Sequence, residues 1–266
     1  MDNPVSPEMR AIIKAKLAEI AAEEDIRILL AIESGSRAWG FHSPDSDYDV
    51  RFIYTRPLDW HLKLGKKRDV VERPIDDELD LSGWELSKAL TLALSSNAVI
   101  GEWLQSPIRY IAEPEALEKL LSFTSRALSR KSVSWHYLSL LKQQQKRLHN
   151  PDGSVRLKRY FYTLRPTLAL RWMRLHNQPM PPMAMAELVA GCALSVGTQE
   201  ALTHITVLKM KVKEQAESAE TPQILNDLIA EESALAEAWL ATAEHHAHKE
   251  HWQQANQIHK ELTLGR

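Results

Sequence analysis

The apolar positions of the chain change their period once, near residue 83. Residues 6–24 (SPEMRAIIKAKLAEIAAEE) set Ile12, Leu17 and Ile20 among Ala, Lys and Glu, a spacing that predicts an amphipathic helix opened by Ser6 and Pro7. Residues 26–32 (IRILLAI) form a nearly continuous apolar run of strand length, which stops at Glu33-Ser34-Gly35-Ser36 and so predicts a buried strand entering a turn. Residues 47–54 (DYDVRFIY) alternate in kind and are rich in β-formers, and 68–75 and 78–82 are further strand candidates. After Gly83 the period is helical throughout, with helices predicted over 84–95, 99–104, 113–128, 133–148, 155–176, 183–193, 199–216 and 221 to about 262. The pattern predicts an α+β chain: a small mixed β-sheet domain over residues 1–110, ending at a weak boundary between Pro107 and Pro114, then an all-helical domain over 111–266.

Composition narrows the class of partner. The 266 residues hold 33 Lys+Arg against 35 Asp+Glu, a net charge of -2 that excludes a globally basic nucleic-acid coat. That mean conceals an asymmetry, because residues 126–174 hold twelve Lys/Arg and one acid, Asp152. A polyanion, RNA in particular, is expected to meet the chain there, although basic residues interleaved with Leu, Trp and Tyr also make the wet face of amphipathic helices. No basic n-region precedes an apolar one, and no run approaches the roughly 18 apolar residues of a membrane span, so the expectation is no membrane and a cytoplasmic location. The single cysteine, Cys192, cannot make an intrachain disulfide or a Cys-rich zinc site.

The stretch that carries chemistry is Gly35-Ser36-Arg37-Ala38-Trp39-Gly40-Phe41-His42-Ser43-Pro44-Asp45-Ser46-Asp47-Tyr48-Asp49. Asp47 and Asp49 stand two apart at the start of a predicted strand, so their carboxylates share a face with Cα atoms roughly 6 to 7 Å apart. That spacing suits two hard cations, which prefer oxygen ligands and can clamp the attacking and leaving oxygens of a phosphoryl transfer. Gly35 lets the backbone approach closely, and backbone N–H groups with the Ser36 hydroxyl can cradle phosphate oxygens. An isolated Asp-x-Asp is common at solvated strand ends. What distinguishes this one is the order strand, Gly-Ser, helix-length gap, Ser-Asp-x-Asp, strand.

With Gly35-Ser36 followed by Ser46-Asp47-Tyr48-Asp49, the chain resembles the nucleotidyltransferases of the DNA polymerase beta superfamily. Through GSRAWGFHSPDSDYDVRFIY, LDLSGWELSKALTLALSSNAVIGEWLQSPIRY and LKRYFYTLRPTLALRW it is similar to the predicted nucleotidyltransferases of the RNA-repair-associated (RNA-ligase-associated) polymerase-beta-like group. The resemblance implies a polymerase-beta-like sheet domain in which Asp47 and Asp49 bind two Mg²⁺ ions, with Mn²⁺ able to replace them. It also implies that Gly35 and Ser36 hold the β and γ phosphates of a nucleoside triphosphate, and that a third carboxylate comes from a later strand. In Glu78-Leu79-Asp80-Leu81-Ser82, alternation leaves Glu78 and Asp80 on one face; the family's pattern of an acid between apolar residues points to Asp80, as a further ligand of the catalytic metal. Arg37 is a candidate for added charge on the phosphates, although an arginine beside a turn is ordinarily solvated.

In the helical half, Lys158, Tyr162 and Arg165 share one helix face at offsets of four and three, a face suited to a triphosphate. The resemblance implies a lysine on the triphosphate and an aromatic on the base, for which Lys158 is the analogue by position; the competing reading buries Tyr160 and Tyr162 in the core. Trp84 and Trp103 read as core rather than as base-stacking platforms. Glu244, His248 and His251, at i, i+4 and i+7 beside His245 and His246, offer a helix face to a transition metal, but without HExxH they read as an exposed helix.

The expected activity is metal-dependent transfer of an NMP or dNMP from a nucleoside triphosphate to an acceptor hydroxyl, an RNA 3′ end in repair or end processing, with release of pyrophosphate. The alternatives are AMP transfer to a protein side chain, as in antitoxin-type members, or a catalytically inactive nucleotide- or RNA-binding module. Retention of Asp47, Asp49, Ser36 and a third acid argues against the inactive module. Base selectivity and oligomeric state are open at this level.

Overall fold

A computed structural model describes residues 4–74, 78–151, 153–213, 216–218, 221–243 and 251–265. The chain divides into two compact units, one of Met1–Ala38, Asp47–Leu128 and Ala247–Arg266, the other of Trp39–Ser46 and Ser129–His246. In chain order the first stretch gives α1 (Pro7–Glu24), β1 (Arg27–Glu33), α2 (Gly35–Trp39), β2 (Tyr48–Thr55), α3 (Leu58–Leu62), β3 (Val70–Glu72), β4 (Leu79–Glu85), α4 (Leu86–Leu94), α5 (Ala98–Leu104), β5 (Arg109–Ala112) and α6 (Pro114–Ala127). There follow α7 (Arg130–Gln145), β6 (Val155–Arg156), α8 (Leu157–His176), α9 (Met185–Gly191), α10 (Val196–Lys211), β7 (Glu217–Ser218), α11 (Gln223–Thr242) and α12 (His251–Leu264). This is an α+β chain with one five-stranded mixed sheet in the order β3-β4-β2-β1-β5.

The Ser6 hydroxyl caps α1 by accepting the Met9 N–H at 3.1 Å, with Pro7 in the first turn. The buried stripe of α1 is Ile13, Leu17 and Ile20, not the Ile12, Leu17 and Ile20 expected; Ile12 is 48% exposed. Offsets of four and three keep residues on one side of a helix, whereas position 12 lies about 100° away from 13. The α1 stripe packs with Val50, Phe52, Tyr54, Leu79 and Leu81. Since side chains alternate along a strand, Asp49, Arg51 and Asp80 then lie on the opposite face of the sheet.

The pair β2·β4 is parallel, while β1·β2, β1·β5 and β3·β4 are antiparallel. Its register sets Asp49 beside Asp80 and Tyr54 beside Glu85. Three predicted boundaries move. The helix expected over 84–95 begins only at Leu86, because β4 runs through Trp84 and Glu85 caps α4. The stretch between Pro107 and Pro114 contains β5, which borders β1. The single helix expected from 221 to about 262 is α11 and α12, with residues 244–250 outside the described residues, and with them Glu244, His245, His246 and His248.

The second unit is built on α7, α8 and α11, whose buried residues include Tyr137 and Leu141, Phe161, Leu164 and Leu168, and Leu228 and Ile229. Among the described residues no helix is long and apolar enough to cross a membrane.

Candidate functional site

The site begins where β1 ends. Glu33, the last residue of that strand, is fully buried; its carboxylate accepts the Asp49 backbone N–H at 2.8 Å and the Tyr110 hydroxyl at 2.5 Å. The Ser34 N–H donates to the Asp49 carbonyl at 2.7 Å, so both backbone groups of Asp49 are held from β1 and its exit. Burial pushes the Glu33 carboxyl up to about 7, against the lowering effect of the hydrogen bonds from Tyr110 and the Asp49 backbone.

Gly35 follows with φ +57°, in the left-handed region, and a Cβ added there would lie 1.9 Å from Asp49 Oδ2. Only glycine lets the backbone come this close to that carboxylate. Ser36 is buried beside it, in the short helix α2.

The register of β2 and β4 brings the Asp49 and Asp80 side chains together, and Arg51, two residues along β2, joins them. One guanidinium nitrogen, Nη2, lies 3.0 Å from Asp49 Oδ1 and 2.7 Å from Asp80 Oδ2. Nη1 donates to the Asp80 carbonyl at 2.9 Å and the Val50 carbonyl at 3.1 Å. Arg51 and Asp80 line an open cleft with Glu72, Arg73, Pro74 and Ser82. Glu78, the other acid left by alternation, is exposed in the turn before β4, where its carbonyl accepts the Tyr48 N–H at 2.8 Å.

Asp47 is exposed immediately before β2, and its backbone is fixed by Arg37. The Arg37 guanidinium is buried, donates to the Asp47 carbonyl at 3.2 Å and the Pro4 carbonyl at 2.8 Å, and stacks 3.8 Å from the centroid of Tyr48. In this conformation its charge acts on the segment that presents Asp47.

The donor set of Asp47, Asp49 and Asp80 is all carboxylate oxygen, the chemistry that hard divalent cations prefer. A guanidinium already compensates two of the three, which shows that this pair draws a cation. The residues fit Mg²⁺ or Mn²⁺.

Lys158, Tyr162 and Arg165 lie on α8 in the second unit, which also includes Trp39–Ser46. Tyr162 packs edge-on against Trp39 at 5.3 Å between ring centroids, and the buried Arg165 guanidinium lies 4.6 Å from the Trp39 ring while donating to the Met183 carbonyl. Lys158 is half-buried. Trp84 and Trp103 stack on each other at 3.7 Å, as expected of packing residues.

Several cations of the 126–174 stretch are engaged within the second unit. Arg171 and Arg174 both bind Glu232, which is 1% exposed, at 2.7 and 2.5 Å. Lys142 pairs with Glu237 at 2.8 Å, and Arg130 stacks on Trp239 at 3.9 Å. Lys146, Arg147 and Arg156 are turned to solvent.

Sequence reasoning passed over Glu33, Tyr110, Arg51 and Lys209. Lys209 is buried on α10 and donates to the Ser43 hydroxyl. Its signal was present: it continues the buried face Thr198, Leu202, Ile205 at helical spacing, where a lysine calls for a partner.

Comparison with known proteins adds two findings. The chain is 42% identical over 186 residues to an uncharacterized protein, YcgL, of Bacillus subtilis (strain 168), covering 68% of this chain and 71% of the relative. Residues 9–261 match the family described as RlaP, RNA repair pathway DNA polymerase beta family. With the ordered Gly-Ser and Asp-x-Asp elements on this mixed sheet, the chain belongs to that RNA repair polymerase-beta family, and so to the polymerase-beta-like nucleotidyltransferases.

Proposed function

We propose that this protein transfers an NMP or dNMP from a nucleoside triphosphate to an acceptor hydroxyl, an RNA 3′ end, and releases pyrophosphate. The observation that carries the reading is the parallel β2·β4 register, which sets Asp49 against Asp80 while the Gly35 backbone lies in contact with the Asp49 carboxylate. Carboxylates and phosphate cradle are thereby built from adjacent strands.

Asp47, Asp49 and Asp80 would hold the two cations, which when bound supply charge for the phosphates and lower the pKa of a hydroxyl. Gly35 and Ser36 orient the β and γ phosphates, and Lys158, Tyr162 and Arg165 serve nucleotide binding from the second unit. The acceptor oxygen attacks the α phosphorus in line, a new P–O bond forms, and the α–β bridging P–O bond breaks with its electrons leaving on pyrophosphate. Arg51 keeps Asp49 and Asp80 compensated until cations arrive and must then release at least one carboxylate.

A second reading, AMP transfer to a protein side chain, is favoured by one observation. Arg171, Arg174 and Lys142 are engaged with acids of the second unit, which thins the surface charge available to a polyanion.

The test is incubation of purified protein with each α-³²P-labelled NTP and dNTP, Mg²⁺ or Mn²⁺, and a mixture of cellular RNA and protein. Label entering RNA, and absent with the Asp47→Ala/Asp49→Ala double variant, supports the proposal; label in a protein band supports the second reading. Nucleotide binding without transfer refutes both.

A further inference from the structure

At the far end of the β2·β4 pair, three more side chains of the first unit converge. Glu85 ends β4 and caps α4: its Oε2 accepts the Ser87 backbone N–H at 2.6 Å and also the Ser87 hydroxyl. The other oxygen, Oε1, is buried without a hydrogen-bond partner. The same is true of His61 Nε2 on α3 and His259 Nε2 on α12. These three atoms lie within 4.8 Å of one another. The closest measured approach, His259 Nε2 to Glu85 Oε1, is 3.9 Å, too long for a hydrogen bond. The two imidazole rings meet edge to face at 5.1 Å.

A buried polar atom left unpaired is costly, and folded proteins rarely tolerate several in one place. Glu85 is fully buried, with one oxygen committed to the helix cap and the other aimed at two imidazole nitrogens. A single cation at the centre satisfies all three atoms at once.

We propose that His61, Glu85 and His259 form a Zn²⁺ site that fastens α12 to the sheet. Two imidazole nitrogens with one carboxylate oxygen suit zinc and its borderline neighbours rather than Mg²⁺ or Ca²⁺, which prefer oxygen alone. Tetrahedral bonds of about 2.0 to 2.1 Å place donor atoms roughly 3.3 Å apart, so the His259–Glu85 gap of 3.9 Å closes by about 0.6 Å, within reach of small side-chain rotations. Water fills the fourth position. Asp80 and Glu85 are five positions apart on one strand, about 16 Å, so this centre is too distant to share an ion with the carboxylates at the other end. It joins three segments remote in sequence, which makes its role structural. The inference stands independently of the nucleotidyl-transfer reading.

The test uses the full-length, untagged protein, stripped with chelator and titrated with Zn²⁺ by calorimetry in millimolar Mg²⁺. One zinc per chain is expected, with the melting temperature rising by about 5 °C or more at 100 times the Kd. His61→Ala and His259→Ala should each weaken binding by about 100-fold or more, while Asp80→Asn and a variant with His245, His246 and His248 changed to Ala should bind as wild type. Absence of stoichiometric binding overturns the proposal, as does loss of binding only in the triple-histidine variant. Should the alanine variants fail to fold, Co²⁺ added to the wild-type protein decides: tetrahedral d–d absorption supports the site, and an octahedral spectrum rejects it.

Discussion

Gly35→Ala perturbs the tightest approach in the candidate active site. The added methyl would sit 1.9 Å from Asp49 Oδ2 and 2.9 Å from its carboxyl carbon. Ordinary contact is about 3.5 Å, so roughly 1.5 Å of displacement is required. The Asp49 backbone is held through Glu33 and Ser34, which leaves the carboxylate as the part that yields. Its swing breaks the 3.0 Å contact with Arg51. Alanine at φ +57° adds a left-handed backbone cost of about 1 kcal/mol. With the lost charged hydrogen bond the total comes to about 2 to 4 kcal/mol, or a melting temperature lower by roughly 4 to 16 °C. Misplacing a reacting group by 1 Å costs on the order of 100-fold, so kcat for label transfer should fall at least that far, with nucleotide KM changing much less. Initial rates at saturating nucleotide and a thermal melt on the same sample read both quantities. A folded Gly35→Ala protein that keeps its rate within about threefold of wild type refutes the argument that this contact sets the position of Asp49.

Arg51→Met should leave Asp49 and Asp80, direct neighbours across two strands, without their shared cation. Like charges placed opposite destabilise a sheet; the melting temperature should fall by a few degrees in chelator and recover in millimolar Mg²⁺ more than wild type gains, and an unchanged Mg²⁺ response would count against metal binding there. Glu232→Ala strands Arg171 and Arg174 around a buried gap and should destabilise the protein by about 3 kcal/mol or more, measured by denaturant unfolding. Glu24 is held below the ordinary carboxylate range by hydrogen bonds from Arg56 and then Arg73. A lowered folded-state value means its stabilisation is present above the unfolded value near 4.5 and is lost as pH falls through the lower folded one. Glu24→Gln should therefore flatten that acid limb in a series of melts, and an identical limb would show the pair contributes nothing.

The fold was legible where one local period dominated. Strand β1 and the long helices follow from apolar runs and 3.6-residue spacing, each strong enough to outweigh its neighbours. Legibility failed where tertiary pairing decides. Trp84 and Glu85 sit in a sequence that continues smoothly into helix, yet pairing with β2 keeps them in β4 until the Glu85 carboxylate caps Leu86 onward. Residues 109–112 are too few to show a period, and they are a strand because β1 offers them an open edge. Ile12 and Ile13 are adjacent and equally apolar, and the choice of which faces the sheet belongs to the whole stripe.

The site divides the same way. Alternation confines Asp47 and Asp49 to one face, but it cannot choose between Glu78 and Asp80, because that choice depends on which strand lies beside β2 and in what register. Parallel pairing of Asp49 with Asp80 is a long-range fact, made at the level of the sheet. Arg51 is different. The argument that put Asp47 and Asp49 on one face applies equally to position 51, so an Asp-x-Asp-x-Arg stripe was readable from the sequence, and a cation two positions from a metal-binding acid is a statement about charge balance before any metal arrives. The protein folds with two carboxylates facing each other across neighbouring strands, and Arg51 provides the compensation that makes this affordable in the free state. If divalent cations are the intended occupants, the guanidinium competes with them for the same oxygens. Its removal should then weaken the empty protein while tightening its apparent affinity for Mg²⁺, two effects of opposite sign that a purely structural salt bridge would not produce together.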